Sequence, residues 1–127
     1  MIREEALRWA ADLRANRAKK GRMALCSSDG KHFCCLGRLL LLHGYSMSFT
    51  GVAAPDGKKI WDDVSRSVIP KELADKLQAP SLADPTSAVI INGVRFGGGL
   101  AEANDDIITG ITWLDIADWI EAHSEEI

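Results

Sequence analysis

Two adjacent thiols open the most apolar run of this sequence. Cys34 and Cys35 precede Leu36-Gly37, and Cys26, His32 and His43 lie close by in the chain. A thiol at a helix N-terminus is favoured as thiolate by the helix dipole, and a histidine can serve as its base. The chemistry that would follow is that of a cysteine-dependent hydrolase or transferase using Cys34 or Cys35. Against it, the run is apolar and free cysteine is among the most buried residue types. The same cluster is a poor zinc site. No Cys-x-x-Cys or His-x-x-x-His pair occurs, and neighbouring cysteines point apart on a helix or strand. Neither metal nor cofactor is expected.

Three further sets bear on binding. Gly97-Gly98-Gly99, just after Arg95, can offer backbone N–H groups to a phosphate, although the pattern is neither a Walker nor a dinucleotide fingerprint. Asn104-Asp105-Asp106, helped by Asp62-Asp63, offer oxygens to a divalent cation; otherwise Asn104 and Asp105 cap backbone groups and Asp62-Asp63 is a solvated turn. Arg14, Arg17, Lys19, Lys20, Arg22 and Lys31 form the densest cationic stretch, with Trp9 or Trp61 available to stack on a base. The expected ligand or partner contacts are Arg14, Arg22, Lys31, Trp61, Arg95, Asn104 and Asp105.

Charge is distributed unevenly behind a net of −3. Residues 1–60 carry a net of +6 and residues 61–127 a net of −9. With a pI near 5.6 and few aromatics, the chain fits a small anionic ligand or a protein partner better than duplex nucleic acid. Composition is that of a folded globule, 46% hydrophobic and 26% charged. No apolar run is long enough to span a bilayer, and Met1 leads directly into Arg-Glu-Glu without a secretory pattern. An odd number of cysteines suits a reducing compartment, so the expected location is the cytoplasm.

The elements that position these residues follow from periodicity. Ile2, Ala6, Trp9 and Leu13 predict a helix over Arg3–Lys19, with Arg8 pairing Asp12 outside and Gly21 just past its end. Met23–Cys26 and Lys31–Phe33 read as a hairpin about Asp29-Gly30. Cys34–His43 reads as a helix buried nearly all round, in which Gly37 admits the close approach of another backbone. Ser46–Val52 and Lys58–Trp61 read as strands about Pro55-Asp56-Gly57. Pro70, placed at the first helical position, opens a helix to Gln78, and Ala79–Pro85 is a loop.

Asn92-Gly93 marks a second hairpin between Ala88–Ile91 and Val94–Phe96. Leu100–Asn104 reads as one helical turn. Thr112 and Asp115 form a capping box for the last helix, stapled by Ile111 and Ile116. The 127 residues fit a single α+β domain, with short antiparallel hairpins packed on three to four helices.

The order Trp9-x-x-x-Leu13-Arg14, a basic stretch, Gly21, then Phe33-Cys34-Cys35-Leu36-Gly37 resembles a family of small phage and prophage proteins of unassigned function. Trp61, Ile69-Pro70, Asn104-Asp105 and Ile116-Ala117-Asp118-Trp119-Ile120-Glu121 continue the resemblance. It departs at Arg38-Leu39-Leu40-Leu41, where the family has Val-Leu-Cys-Asp, and in the Asn92-Gly93 hairpin and triple glycine. The resemblance implies a non-enzymatic binding protein that antagonises host antiviral defence, of the anti-CRISPR or signal-sponge kind. It would block an immune nuclease complex or sequester a small anionic nucleotide signal. A pocket shared across a symmetric interface would make the protein a homo-oligomer.

Overall fold

A computed structural model describes residues 1–127. Its helices are α1 (Arg3–Ala15), α2 (Cys35–Leu42), α3 (Lys71–Leu77), α4 (Gly99–Asp105) and α5 (Trp113–Ala122). Strands β1 (Ser46–Ser48), β2 (Gly51–Ala53) and β3 (Lys59–Trp61) form one antiparallel sheet, and β4 (Val89–Ile91) and β5 (Val94–Phe96) form another. The protein is thus a small single α+β domain. One continuous core joins both sheets to all five helices.

The amphipathic patterns place that core. Ala6, Trp9 and Leu13 of α1 are fully buried and meet Ile116, Ala117 and Ile120 of α5 in the main helix–helix contact. Leu36, Leu39 and Leu40 of α2 fill the space beside them. The α5 capping box is present. Thr112 Oγ1 accepts the Asp115 N–H at 3.3 Å, and the Asp115 carboxylate accepts the Thr112 N–H at 2.9 Å. Ile111 and Ile116 are both buried, as a staple requires. Asn92 and Gly93 take φ of 52° and 78°, the two positive values of a type I′ turn.

Gly37 meets its expectation. A Cβ there would lie 2.0 Å from the Leu25 carbonyl oxygen, so α2 and the segment before it touch backbone to backbone. That carbonyl accepts the Cys34 N–H at 3.2 Å, which anchors the start of α2.

Several local expectations change. The first helix ends at Ala15 rather than Lys19, because Asn16 folds its amide back onto the Asp12 carbonyl at 2.9 Å; Arg17–Lys19 is a separate 3-10 turn. Arg8 does not pair with Asp12. It reaches Glu5 and the Leu42 carbonyl, while Asp12 takes both guanidinium donors of Arg38 at 2.8 Å each.

The first hairpin is reduced to a single antiparallel bridge, Cys26 to Phe33. The donors a ladder needs are spent elsewhere: Met23 N–H on Asp105 and Leu25 N–H on Val64. Ser46–Val52 breaks at Phe49-Thr50 into β1 and β2, with Ser48 Oγ accepting the Thr50 N–H in the turn. Pro70 is the residue before α3, its extended backbone lending only a carbonyl to Ala74. Within the expected loop, Pro80–Ala83 forms a 3-10 turn.

Candidate binding surface pinned by Asn104

The short helix α4 ends at the most constrained side chain of the molecule. Asn104 is fully buried. Its Oδ1 accepts the Cys35 backbone N–H at 3.0 Å and the Trp113 indole N–H at 2.7 Å. Its Nδ2 donates to the Gly21 carbonyl at 2.9 Å and to Asp105 Oδ1 at 3.2 Å. One amide therefore joins the start of α2, the start of α5 and the link after α1. A buried amide with all four bonds made contributes specificity that an apolar side chain cannot.

Asp105 continues the clasp by accepting the Met23 N–H at 2.9 Å. Lys20 Nζ donates to the Asn104 carbonyl at 2.6 Å, capping the C-terminal end of α4 with a cation. Burial, then the nearby charge of Arg22, lowers the Lys20 pKa from its ordinary value. Asn104 and Asp105, expected to touch a ligand, are instead the pin and clasp beneath the cationic link.

That link is held against a second segment. Gly21 N–H donates to the Phe33 carbonyl at 2.7 Å, and Phe33 N–H to the Lys19 carbonyl at 2.8 Å. Residues 19–21 therefore run parallel to the chain at Phe33, with Lys20 opposite Phe33, and Arg22 and Lys31 are exposed at opposite ends of this short pairing. Arg17, Lys19, Lys20, Arg22 and Lys31 make no ion pair.

Arg14 stands apart from this edge. It bridges Asp118 at 2.7 Å and Glu121 at 2.6 Å, closing α1 on α5. The two carboxylates raise the Arg14 pKa, and Arg14 lowers that of Glu121. Trp9 is fully buried and donates its indole N–H to the Cys35 carbonyl at 2.9 Å, so it cannot stack on a base. Trp61 is half-buried, with the Arg66 guanidinium 5.0 Å from its ring centroid. Arg95 is exposed on β5, opposite Ile90 in the register.

The triple glycine is occupied from within. Glu102 Oε2 accepts the Gly98 N–H at 2.5 Å, where an anionic ligand would otherwise sit. Asp62 pairs with Lys59 and Asp63 with Arg66, both on the surface. No three His, Cys, Asp or Glu side chains are grouped as a metal site.

Cys26, Cys34 and Cys35 are all buried. The Cys35 thiol points at the Leu100 carbonyl at 3.7 Å, and its neighbour Cys34 together with burial pushes its pKa well up. The histidines are engaged elsewhere. His32 lies by Asp29 and His43 by Glu5, and His123 stacks on Trp119 with centroids 4.8 Å apart.

Three apolar residues are placed outward by the fold, among them Met23 of the expected hairpin, which does not share the buried face of Leu25 and Phe33. Met23, Ile107 and Ile108 are 78%, 71% and 90% exposed. Met23 is held at a φ of 70°, unusual for a side chain of its size. Ile107 and Ile108 ride a turn in which the Asp106 carboxylate accepts both the backbone N–H and the hydroxyl of Thr109. Those bonds lower the Asp106 pKa. The signal was present as an apolar pair inside a polar Asp-Asp-Ile-Ile-Thr-Gly loop. Comparison with protein-family models, with curated proteins and with solved structures finds no match to this chain.

Proposed function

We propose that this chain is a non-enzymatic binding protein that antagonises a host antiviral defence by sequestering an anionic partner in the cytoplasm. The observation that carries the reading is the cationic edge formed by the joined segments 17–22 and 31–33, whose exposed Arg17, Lys19, Arg22 and Lys31 make no ion pair and whose first segment is tied to Asn104 and Asp105. Cations without internal partners need break no ion pair on binding and steer an oppositely charged surface toward them. The resemblance to small phage proteins supports the setting. No helix is long and apolar enough to cross a membrane.

The test is retention of a host partner by the tagged protein from cells carrying defence systems. Arg22→Glu with Lys31→Glu should abolish retention and restore defence, with unfolding unchanged. Retention that survives the double reversal would sink the reading. Thermal shifts against cyclic and linear nucleotides separate the signal-sponge mode from the protein mode.

A further inference from the structure

The cationic edge does not stand alone. Met23 follows Arg22 directly, and its N–H is tied to Asp105, two residues before Ile107. Met23, Ile107 and Ile108 thus rise from adjoining loops at one edge of the fold. Other strongly exposed apolar side chains, Phe49 in the β1–β2 turn and Ile90 on β4, lie on other elements.

Large apolar side chains so fully in water mark interaction sites when they are grouped. These are also held in place. The Asp105 bond fixes the Met23 backbone, and the Asp106–Thr109 turn fixes the backbone of the Ile107-Ile108 tip. A fixed tip loses little conformational freedom on docking. The acids of this edge, Asp105 and Asp106, are half-buried, and Asp105 Oδ1 and Asp106 Oδ2 are spent on holding the two loops. The fully exposed charges on the cationic link are those of Arg17, Lys19 and Arg22.

We infer that Met23, Ile107 and Ile108 form a docking knuckle for a partner protein whose apolar cleft is rimmed by carboxylates. The inference rests on the proposed binding function and commits it to a protein. A nucleotide has no use for two exposed isoleucines beside its phosphates. An interface with an apolar centre and a charged rim matches the usual anatomy of protein–protein contacts.

A benzophenone amino acid placed at position 108 of the full chain, with position 90 as control, tests this in host cells carrying defence systems. The expected result is a covalent adduct from position 108 alone, on a peptide of apolar residues flanked by Asp or Glu. Ile107→Ser with Ile108→Ser should weaken partner retention about tenfold or more while thermal unfolding is unchanged.

No adduct, an adduct on nucleic acid or on a basic peptide, or equal labelling from position 90 would overturn the knuckle. The two readings fail separately. Retention lost in the Arg22→Glu/Lys31→Glu variant but kept in the isoleucine variant removes the knuckle and leaves the cationic edge. Retention kept in both variants removes both.

Discussion

Asn104 Oδ1 and the indole nitrogen of Trp113 lie 2.7 Å apart, both residues essentially without solvent contact. The same oxygen accepts the Cys35 N–H, so two buried donors depend on one acceptor. Removing that acceptor leaves both unsatisfied, and each such group costs about 1–3 kcal/mol. Asn104→Ala should therefore destabilise the protein by about 3 kcal/mol or more in urea unfolding. Asn104→Asp should do no better, because a second oxygen would then face the Gly21 carbonyl in place of the amide donor. A loss below about 1 kcal/mol in either variant would show that the junction repacks around water.

Gly37 reverses a general rule. Inside an open helix, Gly→Ala stabilises by about 1 kcal/mol. Here the new methyl would sit 2.0 Å from the Leu25 carbonyl oxygen, against backbone that cannot swing aside. Gly37→Ala should destabilise by about 3 kcal/mol. The sign of the change, read from denaturant midpoints, decides the matter.

Arg38 and Asp12 form a two-pronged ion pair whose side chains are only 13% and 11% exposed. Arg38 also lies over the Phe33 ring, 5.3 Å from its centroid. Breaking such a pair from one side strands a buried charge, at about 3 kcal/mol or more. Arg38→Leu should show that loss, and Asp12→Leu with Arg38→Leu should recover most of it. Additive losses in the double variant would contradict the pairing.

His43 makes stability depend on pH. Its Nε2 is 2.9 Å from Glu5, and its side chain is 7% exposed. Burial lowers its pKa from the ordinary 6.5, outweighing the pull of Glu5, with Arg8 and Lys76 adding to the lowering. The native state thus refuses a proton that the unfolded chain accepts. Stability is full above 6.5 and falls as pH drops through 6.5 toward the lower folded-state pKa. The lowered carboxylates, Asp115 and Glu121 among them, act only near their ordinary 3.8 and 4.5 and below, so the windows separate. His43→Gln should flatten the upper window, as measured by urea unfolding across mildly acidic pH. An unchanged slope would mean that another group sets it.

Much of the fold was legible because the signals were local. The α5 cap and staple, the Asn92-Gly93 turn and the α1 stripe each depend on residues a few positions apart. The first hairpin and the Arg8–Asp12 pair were not legible. Each was decided by a competing partner far away in the chain: Asp105 for Met23, Val64 for Leu25, Arg38 for Asp12. Local preference sets only a weak bias, and one well-made buried bond outweighs it.

The candidate site divides in the same way. The cationic run from Arg17 to Lys31 is plain in the sequence, since like charges close in the chain stay close in space. Tertiary structure alone separated Arg14 from that run, by giving it Asp118 and Glu121 to hold. It alone turned Asn104 from a surface ligand contact into a buried pin, because only packing brings Trp113, Cys35 and Gly21 to one amide. It alone lifted Ile107 and Ile108 into solvent near Met23, through two aspartates that each commit one oxygen to the loop it holds.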